Sequence, residues 1–507
     1  MKPQTIKINL IAFLFLLFNA ACSKNTETPV DDMPNSIEAV SNVAVRTLSE
    51  INTIEISWKN PDDAMLDKIE FILEQADGKG NRNVQLLDGK VAEVGKIVVQ
   101  LSNSSEHTVS ITALNKAGIR SEKVSKSIIG QKLMSWLPRA DTLMKALVKN
   151  YLDGKPRDIW SSNFPQSSGY WDGAAVIWGH GGAFSGYTTF KKASYTIPSY
   201  KKDVEQLYDN RLLIGIDKFR NKRDGGPEAY AVYPGEGDER FYDDNIWVGL
   251  DMVHLYELTK DSKYLDRAKI VWQFVLSGAD DVMGGGVYWK EGQKSKHTCS
   301  TFPAAVLGLT LYNATGDSKY LDQAKDWYDW GIRVFQDPND YLFYDNVRLS
   351  DENNPNSALV TDRTKFSYNT GQPLQAASLL YSITKETKYL TAAQQMAKAA
   401  YGRWFVPFRS YLLNESFQIL EPGHVWFQAI MMRGFVELYL LDNNREYINA
   451  YEKTLNHAWL SPARNKSSNL INENFKGVTT QTSWELIHQG AILEMLSQLA
   501  LLEIEEK

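Results

Sequence analysis

Two adjacent carboxylates, Asp243 and Asp244, open a helical pattern in Arg240-Phe241-Tyr242-Asp243-Asp244-Asn245-Ile246-Trp247-Val248-Gly249-Leu250-Asp251-Met252-Val253. Apolar residues at 246, 247, 250 and 253 define one helix face, which places both acids in the first turn. A bare Asp-Asp pair there ordinarily caps the helix and complements its dipole. The same pair can also break an acetal. Hydrolysis with retention needs two carboxyls about 5 to 5.5 Å apart, one ionised as nucleophile and one protonated as acid. Neighbouring aspartates in one turn can approach that separation. The positive helix end favours one charge, and repulsion raises the other group's proton affinity. Asn245 could then hydrogen-bond a substrate hydroxyl or orient a carboxyl.

Other chemistry is less well supplied. The histidines, at 107, 180, 254, 297, 424, 457 and 488, show no metal-ligand spacing, so neither metal nor cofactor is expected. The cysteines are Cys22 and Cys299 alone; Cys299 reads as a buried small apolar residue. Gly284-Gly285-Gly286 lacks the ending of a phosphate loop and reads as a tight turn or a close approach of chain to ligand. Trp178-Gly179-His180-Gly181-Gly182 reads as a turn or a wall of a cleft. A net charge of −6 without a basic run argues against nucleic acid and polyanions. Aromatic residues make up 12% of the chain, and all the tryptophans but Trp58 lie at Trp136 or later. Most should fill the core, while Trp426 and Trp484 could stack on a sugar face.

Four segments make up the chain that must carry these groups. Residues 1–21 read as an export signal: Lys2 and Lys7 precede an apolar run, Leu10 to Phe18, too short to span a bilayer. Phe18-Asn19-Ala20-Ala21-Cys22 resembles a lipobox, so Cys22 is expected to carry lipid and anchor an exported protein to a membrane. Residues 22–36 read as a flexible tether. From 37 to 130 the apolar period is two, with runs at 43–45, 53–58, 69–73, 96–99 and 107–113, as in a small β-sandwich. Ile56-Ser57-Trp58-Lys59-Asn60-Pro61 and Val109 to Gly118 resemble the B strand and the F strand with its turn in a fibronectin type III domain, for which a spacer role is expected. From 131 to 507 the period becomes 3.6 and a repeat appears: Asp261-Ser-Lys-Tyr264-Leu, Asp317-Ser-Lys-Tyr320-Leu, Glu386-Thr-Lys-Tyr389-Leu, and more weakly Glu446-Tyr447-Ile. A spacing of about sixty residues is that of a helical hairpin, and about six hairpins fit. The predicted fold is a mainly α (α/α)6 barrel behind a small all-β sandwich, expected as a monomer, with functional residues at the ends of inner helices.

Tyr242-Asp243-Asp244-Asn245-x-Trp247 resembles the signature of glycoside hydrolase family 76, the endo-α-1,6-mannanases. Met283-Gly284-Gly285-Gly286-Val287-Tyr288-Trp289, Tyr344-Asp345 and Tyr368-Asn369-Thr370-Gly371-Gln372 resemble its further motifs, and Tyr170-Trp171 an aromatic pair on its first inner helix. The chain departs from the family at Ser300-Thr301-Phe302-Pro303, where Ser-Asn-Gly-Pro is common, and at Thr370, where Gln is usual. The resemblance implies an (α/α)6 glycosidase acting on α-1,6-mannan with Asp243 as nucleophile and Asp244 as acid/base. It also implies substrate contacts from Tyr170, Trp171, Asn245, Gly285, Gly286, Tyr288, Trp289, Asp345, Tyr368, Asn369, Gln372 and Trp426. Two other readings stay open: a glycan-capture protein without turnover, and a lyase or epimerase on the same fold using a base such as His180 or His424.

Overall fold

The computed structural model describes residues 36–47, 53–75, 82–101, 106–128, 136–154, 158–166, 173–195, 197–235, 238–478 and 480–505. Cys22, the signal and the tether lie outside the described residues, as do Tyr170 and Trp171. No described helix is long and apolar enough to cross a membrane.

Before residue 130 the described strands are β1 (Ser41–Thr47), β2 (Thr53–Lys59), β3 (Leu66–Gln75), β4 (Asn83–Asp88), β5 (Val94–Gln100), β6 (His107–Asn115) and β7 (Val124–Ile128). They form one sheet in the order β1-β2-β5 and a second in the order β4-β3-β6-β7. Trp58 of β2 stacks on Phe71 of β3 with ring centroids 6.4 Å apart, and Ile69, Val109 and Ile111 are buried. Every apolar run anticipated from the alternation lies in a strand. Strands β4 and β7 escaped it because they are the edges of their sheet and largely exposed, so no buried face imposes a pattern.

After Trp136 the chain is helical. Six helices form an inner ring: α2 (Ile177–Ser194), α5 (Tyr242–Thr259), α7 (Thr298–Thr315), α9 (Ser367–Thr384), α11 (Val425–Asp442) and α13 (Leu486–Glu505). Each touches the next, and α13 touches α2, which closes the ring. The outer layer is α3 (Pro198–Leu207) with α4 (Asp209–Asp217), then α6 (Ser262–Ser277), α8 (Ser318–Phe335), α10 (Thr387–Trp404) and α12 (Glu446–Leu460). The sixth outer helix is supplied from the other end of the unit: α1 (Trp136–Leu147) packs on α13, and the Trp136 N–H donates to Glu503 Oε2 at 3.1 Å. The architecture is therefore an (α/α)6 barrel.

The two layers follow from sequence. Outer helices are amphipathic, and the repeat tyrosines Tyr264, Tyr320, Tyr389 and Tyr447 are buried near their starts. Inner helices are covered on all sides and need no polar stripe; α7 is buried from Thr298 to Leu311. Glycines set the closest approaches: a Cβ on Gly186 of α2 would stand 2.4 Å from the Gly490 carbonyl of α13, and one on Gly434 of α11 would stand 2.5 Å from the Gly371 carbonyl of α9. Hence Trp178-Gly179-His180-Gly181-Gly182 is the first part of α2 and not a turn, and Tyr368 to Gln372 likewise opens α9. Each inner helix from α5 to α11 ends in a left-handed residue, Lys260, Gly316, Lys385 or Asn443, and the outer helix begins within three residues. These turns are short, and towards that end a polar cavity is lined by Asp251, His254, Arg433 and Glu494. At the other end long outer-to-inner connections carry short strands over the N-termini of the inner helices, where the acid pair stands.

Candidate active site

Asp243 and Asp244 are the second and third residues of α5, both half-buried. Neither is the cap: that position is Phe241, whose side chain caps nothing. The chain entering α5 is fixed from outside the cleft. Buried Arg240 pairs with Glu291 through Nε at 2.8 Å and Nη2 at 2.5 Å, and the Tyr242 N–H bonds the Trp289 carbonyl at 2.8 Å.

The two carboxyls have unlike surroundings. Asp243 Oδ2 accepts from the Trp289 indole at 3.1 Å and from the Cys299 thiol at 3.5 Å, while its Oδ1 accepts the Asp244 N–H at 3.0 Å. Burial pushes its pKa up to about 6 against these donors, which favour the anion. Asp244 is raised well above the usual carboxylate range by burial and by the charge on Asp243. Among the described residues no hydrogen bond reaches its carboxyl. Asp243 therefore ionises first and Asp244 keeps its proton longer, so the pair can offer one anion and one acid together.

A layer behind Asp243 holds it in place. Trp289 stacks on His297 with centroids 5.1 Å apart and meets Phe241 edge-on at 4.9 Å. Burial lowers the His297 pKa to about 4, so this ring is neutral, with Nε2 2.9 Å from Ser295 Oγ. Cys299 also touches Tyr368. Asp345 accepts from Asn369 at 2.9 Å and from Asn346 at 2.9 Å, and lies 4.0 Å from His297 Nδ1. Tyr368 continues into Phe427, a near-parallel stack at 4.0 Å. Thus Asp243, Asp244, Trp289, Asp345, Tyr368 and Asn369 are brought together at the starts of α5, α7 and α9. Fully buried Asn369 acts on Asp345 and not directly on a ligand.

Other expected contacts are corrected. Asn245 is fully buried; its Oδ1 takes the Tyr230 N–H at 2.6 Å and its Nδ2 bonds the carbonyls of Tyr230 and Phe241, so it clamps a loop to α5. Trp426 is 1% exposed, packed edge-on against Trp247 under Arg433, and cannot stack on a sugar. Gln372 is likewise buried, bonded to Gln375 at 2.9 Å. Gly285 and Gly286 have φ of 136° and 80°, and a Cβ on Gly286 would stand 2.2 Å from the Trp330 ring, so a neighbouring side chain and not a ligand requires the glycines. Tyr288 turns to Asp280, bonding Oδ2 at 3.0 Å. Buried Lys296 holds that loop through Asp280 and the carbonyls of Asp280, Val282 and Gly285. His180 is fully buried between Trp160 and Phe219, with its pKa lowered to about 3 by burial, and cannot serve as a base in the cleft.

Cys299, His297 and Phe427 were not legible as site residues, and Trp178 was read only within a turn or a wall of a cleft. Their common signal was available, since each lies within three residues of an inner-helix start. Among the described residues no cluster suited to a metal ion is present.

The profile of glycosyl hydrolase family 76 matches residues 135–506. A family 76 glycoside hydrolase from a bovine Bacteroides thetaiotaomicron strain is 37% identical over 93% of this chain and 100% of that one, with a TM-score of 0.73. A family 76 mannosidase of B. thetaiotaomicron VPI-5482 is 44% identical over 73% of this chain and 100% of that one, with a TM-score of 0.70. An inactive double-aspartate variant of a Salegentibacter α-1,6-mannanase, in complex with α-1,6-mannotetrose, is 23% identical over 72% of this chain and 99% of that one, with a TM-score of 0.58, a likeness of fold. Mannan endo-1,6-α-mannosidase of Saccharomyces cerevisiae is 22% identical over 39% of this chain and 45% of its own; the chain spans less than half the length of each curated relative it matches. With barrel, acid pair and profile in agreement, the chain belongs to glycosyl hydrolase family 76.

Proposed function

We propose that the protein hydrolyses internal α-1,6-mannosidic bonds of mannan with retention, using Asp243 as nucleophile and Asp244 as acid/base. The observation that carries this is the unlike environment of the two carboxyls: three donors on Asp243, burial and a neighbouring charge on Asp244. In the first step Asp244 gives its proton to the glycosidic oxygen while Asp243 attacks the anomeric carbon; the C–O bond breaks and a glycosyl ester forms. In the second, ionised Asp244 takes a proton from water, whose oxygen displaces Asp243. Support for the substrate comes from the Salegentibacter and yeast relatives, named for action on α-1,6-mannan.

Incubation with linear α-1,6-mannan should release oligosaccharides. Asp243→Asn and Asp244→Asn should each lower kcat/KM by about a thousandfold or more. No cleavage by the wild type, or undiminished cleavage by both variants, sinks the proposal; binding without hydrolysis by the wild type would identify a capture protein instead.

The same reading places the protein outside the cytoplasm as a monomer, lipid-anchored at Cys22, with the strands before residue 130 as a fibronectin-like spacer. The β1-β2-β5 and β4-β3-β6-β7 sheets support that last element. Cys22→Ala should move the protein from the membrane to the soluble fraction, and an unchanged distribution would refute anchoring there.

A further inference from the structure

We propose that Trp178 is an outer sugar platform of the cleft, taking the apolar face of a hexopyranose unit distant from the bond that breaks. This rests on the mannan reading above. Trp178, second residue of α2, is 40% exposed, whereas most large apolar side chains of the inner helices are buried. It ends a row of nearly parallel rings: Tyr368 on Phe427 at 4.0 Å and 7°, Phe427 on His424 at 4.1 Å and 23°, His424 on Trp178 at 5.4 Å and 16°. At its inner end Tyr368 touches Cys299, which touches Asp243. The row therefore links the acid pair to an exposed tryptophan.

Its path places the row inside the mouth. Helices α2 and α11 are separated in the ring by α13, so the Trp178–His424 contact must pass over the start of α13, where His488 meets His424 edge-on at 4.5 Å. With one indole face on His424, the open area lies on the other face and edge. A flat apolar ring held at a fixed tilt in a polar cleft offers the C–H face of a pyranose a pre-oriented surface, and little side-chain entropy remains to be lost on binding. Among the described residues the Nδ1 of half-buried His424 has no hydrogen-bond partner, so the indole rests on the face of this ring.

The test uses the full chain carrying Asp243→Asn and Asp244→Asn, titrated calorimetrically with α-1,6-mannotetraose and α-1,6-mannobiose. Adding Trp178→Ala should weaken the tetrasaccharide by about tenfold or more and leave the disaccharide within about twofold, with Trp178→Phe keeping most of the affinity. In the active enzyme, Trp178→Ala should raise KM for the tetrasaccharide while kcat holds. Unchanged tetrasaccharide affinity overturns the platform; equal weakening of both ligands overturns it too, because the effect would then run through the stack to Tyr368. If the parent protein binds neither sugar, the mannan reading beneath it fails, an outcome distinct from loss of the platform alone.

Discussion

Asp243 carries a charge more readily than Asp244 because three donors face it, and each donor should be visible in the acid limb of the pH–rate profile. Trp289→Phe keeps the ring against His297 and Phe241 but deletes the N–H on Oδ2. The anion loses a stabilising partner, the Asp243 pKa rises, and the acid limb of kcat/KM should move up by about one to two units, since a hydrogen bond to a charged group is worth about 1.5–3 kcal/mol. Cys299→Ala should move it the same way by less, a thiol being a weak donor, and Cys299→Ser should return it. Profiles that coincide with the wild type would show that these contacts do not tune Asp243.

At the scale of elements, the inner-to-outer turns and the inner helix contacts make opposite predictions about glycine. Lys385 ends α9 in a left-handed conformation, φ 60°, where Gly316 ends α7. Lys385→Gly should stabilise the fold by roughly 0.5–1 kcal/mol, the relief of strain exceeding the added freedom of the unfolded chain. A rise in thermal midpoint checks it; a fall would show that the Lys385 side chain over Tyr381 matters more. Gly186→Ala places a methyl against the Gly490 carbonyl, and α2 and α13 must separate. A loss of about 2–4 kcal/mol is expected in denaturant unfolding, as for overpacking between close backbones.

For the whole molecule, pH stability is set by groups buried in one protonation state. His180 is fully buried and its pKa falls from 6.5 to about 3, so the unfolded chain binds its proton first. That contribution is complete above about pH 6.5 and is lost as the pH drops towards 3. Buried Asp251, pushed up to about 8 by burial, acts in the opposite sense: it favours the fold below about pH 4 and loses that effect as the pH rises through 8. His180→Phe, which keeps a ring between Trp160 and Phe219, should therefore flatten the fall in thermal midpoint between pH 6.5 and 4. An equally steep fall would assign acid unfolding to other groups. Closure of the barrel also belongs to this scale: α1 covers α13, so deleting residues up to 152 should expose apolar surface and abolish cooperative unfolding, which calorimetry would register.

The sequence alone determined what local periodicity can encode. The change from period two to 3.6, the tyrosine repeat and the acid pair in a first turn each follow from contacts within a few residues or from one buried face, and each was present as read. Side-chain direction across the ring could be decided only by the tertiary structure. Asn245 and Gln372 share motifs with site residues and Trp426 stands at an inner-helix start, yet all three point into packing, because helix position does not reveal which neighbour covers a face. Cys299 looked structural, yet α5 brings Asp243 to it, and Trp178 read equally as turn or cleft wall, a choice settled only by His424, 246 residues further along the chain, packing under it. Even the sixth hairpin is formed by the first and last helices of the barrel, α1 and α13, a pairing that no local signal contains.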